Sequence, residues 1–120
     1  MVNDPYTRPV FARARRLCLA QREASEVPAW GHPTFRVGGK TFCAFEMIKG
    51  RPSIAFRLPD VDVAEIAASE HGFLTPYGRS QWASLRVDRT PDWPLIERLV
   101  RTSYLVVAPK RLRSDELPTS

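Results

Sequence analysis

The sequence predicts an α+β domain in which hairpin-linked strands form one antiparallel sheet and helices cover a single face of it. Three observations carry that expectation. Gly38-Gly39 sits between two short runs that alternate apolar and polar residues, the pattern of a tight hairpin. Further segments alternate with period two, while two others repeat apolar residues at helical spacing. Eleven prolines and six glycines in 120 residues divide the chain into short elements. The order read is α-β-β-β-α-β-α, with one or two additional short strands.

Residues 1–8 read as a loosely ordered start. Thr7 is placed to cap a helix from about Pro9 to Arg22, with proline accommodated in its first turn. Val10, Phe11, Ala14, Leu17 and Cys18 make its apolar stripe, and Arg13, Arg15, Arg16 and Arg22 lie mainly off it. Val27 to Trp30 is extended. A two-residue turn at Gly38-Gly39 sets Val37 opposite Lys40, Arg36 opposite Thr41 and Phe35 opposite Phe42. Strict alternation then sends Phe35, Val37 and Phe42 to one face, and Thr34, Arg36, Thr41 and Cys43 to the other. The second strand runs on to about Met47.

Lys49-Gly50-Arg51-Pro52 turns the chain into a strand through Leu58, with Ile54, Phe56 and Leu58 inward. Asp62 followed by Glu65 resembles a capping box for a short helix to about Glu70, burying Val63, Ile66 and Ala67. Phe73 to Arg79 reads as a loop or edge segment. Trp82 to Asp88 alternates Ala83, Leu85 and Val87 with Trp82, Ser84 and Arg86. Thr90-Pro91-Asp92 opens the last helix, whose stripe is Trp93, Ile96, Leu99, Val100, Ser103, Tyr104 and Val107. Pro109 ends it. Residues 9–109 thus form one domain, and residues 110–120 a polar, disordered tail.

Composition narrows the function. The net charge of +5 comes from 18 basic residues, 15 of them arginine, a side chain suited to bidentate phosphate contact. No apolar stretch is long enough to span a membrane, and Met1 to Arg8 has no apolar signal-peptide core, so no membrane partner is expected. Cys18 and Cys43 fall on different elements and are expected apart, without a disulfide or metal site, as in a reduced cytoplasmic protein. No nucleophile elbow, P-loop, dinucleotide fingerprint or zinc-binding motif is present, so neither a catalytic residue nor a cofactor is assigned and a non-enzymatic protein is expected. His32, held extended by Pro33, has no nucleophile or carboxylate placed beside it by the sequence. It reads as a positioning residue at the start of the hairpin.

Two sets of residues remain as functional candidates. The non-core sheet face gathers Thr34, Arg36, Thr41, Cys43, Ser53, Arg57, Ser84 and Arg86, with Lys40, Lys49 and Arg51 at the turns. Arginines interleaved with hydroxyls suit phosphate contact. The nucleic-acid candidates are therefore Arg36, Lys40, Lys49, Arg51, Arg57, Arg79 and Arg86, with DNA favoured over RNA. The alternative is a small-molecule pocket lined by Trp30, His32, Tyr77 and Trp82. A cavity beside those four residues favours the second reading, and a flat or convex basic face favours the first.

The run Trp30-Gly31-His32-Pro33-Thr34-Phe35 is followed by Gly39-Lys40-Thr41-Phe42, Pro76-Tyr77 and Trp82. Asp92-Trp93, Ser103-Tyr104 and Val107-Ala108-Pro109-Lys110-Arg111 complete the series. In order and spacing the chain resembles the MmcQ/YjbR family over roughly residues 17–112. The resemblance implies a CyaY-like α+β fold with a curved antiparallel sheet. It also implies a DNA-binding label, drawn from the likeness of sheet and turns to the double wing of a phage transcription activator. The family brings no agreed catalytic residues, and some members lie near antibiotic-biosynthesis or resistance genes. Gly78-Arg79-Ser80-Gln81 is where members often carry more lysine and glycine.

Overall fold

The computed structural model describes residues 4–76 and 80–113. The elements are a 3-10 turn (Pro5–Thr7), α1 (Pro9–Leu19), β1 (Ser25–Ala29), β2 (His32–Val37), β3 (Lys40–Ile48), β4 (Arg51–Arg57), α2 (Asp60–Ala67), β5 (Gly72–Leu74), β6 (Trp82–Arg86), α3 (Trp93–Val107) and α4 (Lys110–Arg113). All six strands join one antiparallel sheet in the order β1-β2-β3-β4-β6-β5. The α+β architecture expected from the hairpins is the one observed.

Strands β1 to β4 form a meander closed by three two-residue turns. Trp30-Gly31, Gly38-Gly39 and Lys49-Gly50 all have positive φ at both central positions, the requirement of a type I′ turn. Gly38 meets a second constraint, because a β-carbon there would lie 2.8 Å from Cγ of Pro109. The hairpin tip is thereby pressed against the end of α3.

Register departs from strict alternation at one point. Val37 faces Lys40 and Arg36 faces Thr41, as expected, but Phe35 faces Cys43. Phe42 is thus an extra residue, a β-bulge. Phe42 and Cys43 both point into the core and are fully buried. The assignment of Cys43 to the polar face, and of Phe42 opposite Phe35, is corrected by this bulge. Cys43 also lies against Cys18: burial pushes its thiol well above the ordinary range, helped by a hydrogen bond with Cys18. The two cysteines, expected apart, are neighbouring free thiols.

The core fills one face of the sheet. Phe45 centres it, 4.8 Å from both Phe11 and Phe35 between ring centroids, and Phe42 meets Tyr104 edge-on at 5.7 Å. Such tilted and offset pairs follow the aromatic quadrupole. Helix α3 lies on β3 and β4, α1 packs on α3, and α2 covers β5 and β6. Asp92 caps α3 by accepting from the Leu95 N–H at 3.1 Å. Tyr104, buried in α3, donates its hydroxyl to the Arg22 carbonyl at 2.8 Å.

Ends differ from the sequence reading. Asp4 rather than Thr7 supplies a cap, and it caps the 3-10 turn, so residues within 1–8 already hold structure. Helix α1 stops at Leu19 and takes no side-chain cap. No capping box forms at Asp62, because α2 starts at Asp60 behind Pro59. Where the polar tail was expected to begin, α4 buries Leu112 in the core, and Arg111 makes a double hydrogen bond to Glu23 at 2.7 and 2.8 Å.

Candidate functional site

The face of the sheet turned away from the helices carries a cleft of about 810 Å³. Cross-strand register explains its shape. Thr34, Ala44, Ala55 and Ser84 stand opposite one another across β2, β3, β4 and β6. This row of small side chains is a floor. Flanking it on one side are Arg36 and Thr41, opposite each other, then Arg57 and Trp82, also opposite each other. On the other side Glu46, Ser53 and Arg86 align, with His32 beside Glu46. Large residues on both walls and small ones between make a furrow. Ala55 and Ser84 are buried at the bottom of it.

The bulge at Phe42 decides which residues reach the cleft. Beyond it, Ala44 and Glu46 occupy the open face, while Cys43 and Phe45 occupy the core face. Glu46 is therefore the carboxylate that sequence reading did not find for His32. Its Oε2 lies 3.8 Å from Nε2 of His32. Burial raises the Glu46 pKa from its ordinary value, and the nearby imidazole partly offsets that effect. A charged residue inside the otherwise apolar run from Phe42 to Ile48 was the available signal.

Three polar atoms in this cleft are buried and unpartnered: Nδ1 of His32, Nε of Arg36 and Oε1 of Glu46. Buried polar groups are normally satisfied, so such a concentration in one cavity calls for an explanation. The hydroxyl of Thr34 is already used, donating to the Val27 carbonyl. Thr75, which also lines the cleft, shares a hydrogen bond with Ser84 at 2.8 Å.

Of the four pocket residues expected from sequence, Trp30, His32 and Trp82 line the cleft, and Tyr77 lies outside the described residues. Trp82 is half-buried on the Arg36 wall. Trp30 is 95% exposed at the turn on the His32 side, with a left-handed φ of 57°. A bulky side chain rarely adopts that backbone, and such strain tends to gather at ligand clamps. Tyr6, from the 3-10 turn, also lines the cleft. Burial raises its pKa, against the lowering effect of a Met47 backbone hydrogen bond.

Arg36, Arg57 and Arg86 share the open face of the sheet, as expected, but most of the basic candidates are engaged by other groups or lie far apart. Arg36 lines the cleft. Lys40 and Lys49 are exposed but sit at opposite ends of β3, roughly 30 Å apart for a nine-residue strand. Arg51 is held by Asp88 at 2.6 Å, which raises its own pKa and lowers that of Asp88. Arg57 donates to the Leu58 carbonyl at 3.0 Å, and Arg86 lies over the Phe73 ring at 4.5 Å. Arg79 lies outside the described residues.

Among the described residues, no group of three or more His, Cys, Asp or Glu side chains is placed to hold a metal ion. No helix among them is long and apolar enough to cross a membrane.

The fold has relatives of known structure. A protein from Pseudomonas syringae shares the fold with a TM-score of 0.66 at 12% identity, over 78% of this chain and 97% of its own. A Deinococcus radiodurans protein described as a DUF419 domain does so with a TM-score of 0.70 at 18% identity, over 88% of this chain and 87% of its own. At these identities the likeness establishes the fold alone. No curated protein matches the sequence. The YjbR family model matches residues 19–106, a span that includes α1's last residue, the whole sheet and nearly all of α3. The chain belongs to the YjbR family.

Proposed function

We propose that this protein binds a small organic molecule in the furrow on the open face of its sheet, as a non-enzymatic module of the cytoplasm. The observation that carries the reading is the presence of three buried, unpartnered polar atoms in one cavity of about 810 Å³. Ligand sites typically combine a concave, partly apolar wall with a few convergent polar groups. The furrow has both: Ala44 and Ala55 on its floor, Trp82 on one wall, and His32, Arg36 and Glu46 in its lining, each with a buried, unpartnered polar atom. Two neighbouring free thiols, Cys18 and Cys43, suit a reducing compartment.

Nucleic-acid binding keeps two supports: the net charge of +5 with Lys40 and Lys49 exposed at turns, and the shared face of Arg36, Arg57 and Arg86. It fits the side-chain partners less well. Arg51, Arg57 and Arg86 are occupied by Asp88, a backbone carbonyl and an aromatic ring. The double-wing reading would need the two lysine-bearing turns to act on one duplex from opposite ends of β3.

One pair of titrations separates the readings. The fluorophore 1-anilinonaphthalene-8-sulfonate is expected to bind one molecule per folded chain. Ala55→Leu, which fills the furrow floor, should abolish that binding while leaving a cooperative thermal melt. A DNA duplex titrated at about 50 and 200 mM salt should show weak binding. A steep salt dependence, lost in Arg36→Ala/Arg57→Ala, would instead favour nucleic acid.

A further inference from the structure

The chemistry of the furrow narrows the class of molecule, given the proposed ligand-binding role on which this step rests. Its two walls offer opposite hydrogen-bonding character. On one side Nε of Arg36 is a buried donor without an acceptor; on the other, Oε1 of Glu46 is a buried acceptor without a donor. Arg36 and His32 are four residues apart on β2, about 13 Å between α-carbons. A planar ligand of two fused rings with a substituent at each end fits within that span. Between the walls the floor is Ala44 and Ala55, flat and apolar, and Trp82 stands alongside.

We infer that the furrow takes an elongated planar aromatic bearing an acidic group at one end, against Arg36, and an N–H donor at the other, against Glu46. A guanidinium pairs with carboxylates in a charge-assisted geometry that neutral groups do not match. A ligand with only one of the two groups leaves the opposite wall unsatisfied, and an unmet buried polar group lowers affinity. Both ends must therefore be met for tight binding. His32, beside Glu46 at 3.8 Å, adds a second polar atom at the donor-recognising end.

The test uses four naphthalenes and the full chain: 6-amino-2-naphthoate, 2-naphthoate, 2-naphthylamine and naphthalene itself, each titrated by fluorescence. The amino acid probe is expected to bind at least tenfold more tightly than either probe with one group. Arg36→Met should remove the advantage of the acids and spare that of the amine, while Glu46→Met should do the reverse. Each variant is melted to verify that it folds. Equal affinity for all four probes overturns this inference and leaves the proposed binding role standing as an apolar slot. Binding of none of the four, with the wild-type chain folded, overturns both.

Discussion

The carboxylate of Glu46 lies 3.8 Å from the imidazole of His32 on the open face of the sheet, with its second oxygen buried and unpartnered. Burial there disfavours the ionised form, so the pKa of Glu46 is raised despite the imidazole. A carboxyl whose pKa is higher folded than unfolded binds its proton more tightly when folded. Its contribution to stability is full below the unfolded value and disappears as pH rises through the folded one. Glu46→Gln should therefore raise the melting temperature at pH 7 to 8. The gap to wild type should close as pH falls below about 4.3. Thermal melts across pH measure this directly; a variant less stable than wild type at neutral pH would contradict it.

Trp30 is expected to set stability against binding in the cleft. Its φ of 57° and 95% exposure mean that it contributes strain without burial. Trp30→Gly should stabilise the fold by about 1 kcal/mol, since glycine adopts the left-handed region freely. The same change should weaken 1-anilinonaphthalene-8-sulfonate binding, because the indole stands at the cleft's rim. Urea unfolding and fluorescence titration of one protein preparation read both effects.

At the next turn, Gly38 and Gly39 separate two costs of the same substitution. Both have positive φ, yet only Gly38 faces a neighbour, Pro109, at 2.8 Å from where a β-carbon would stand. Gly39→Ala should cost about 1 kcal/mol, and Gly38→Ala distinctly more. Pro109→Ala should recover part of the excess in Gly38→Ala and nothing in Gly39→Ala. A double-mutant cycle by denaturant unfolding checks the coupling.

Tyr104 links α3 to the chain just beyond α1 through its hydroxyl and the Arg22 carbonyl, 2.8 Å apart. Tyr104→Phe keeps the edge-on contact with Phe42 and removes only that hydrogen bond. The expected loss is about 1 kcal/mol in urea unfolding, with the cleft's ligand binding unchanged.

How far the sequence revealed this molecule depends on the bulge. Elements with strong local signals were readable: the Gly38-Gly39 turn, the alternation of Ile54, Phe56 and Leu58, and the stripe of α3. A period-two pattern carries no mark of an inserted residue, however. Continued past Phe42, it puts Glu46 in the core and Cys43 on the open face, the reverse of what is observed. The His32–Glu46 pair and the Cys18–Cys43 contact were hidden for that single reason. The furrow was hidden for another, since Thr34, Ala44, Ala55 and Ser84 align only through the pairing of four strands. Trp30, His32 and Trp82 were identifiable because aromatic and imidazole side chains stand out beside a tight turn and on a polar face.

The three I′ turns joining β1 to β4 have a kinetic consequence. Two-residue connections leave each strand's partner close along the chain, so this part of the sheet forms through local contacts. Residues 29–55 supply most of the cleft's lining, and they fall within that meander. The wall made by Trp82, and Tyr6 from the 3-10 turn, must be brought in across longer loops. The cleft is thus expected to take shape early in folding and to close late, with β6 as the piece that completes it.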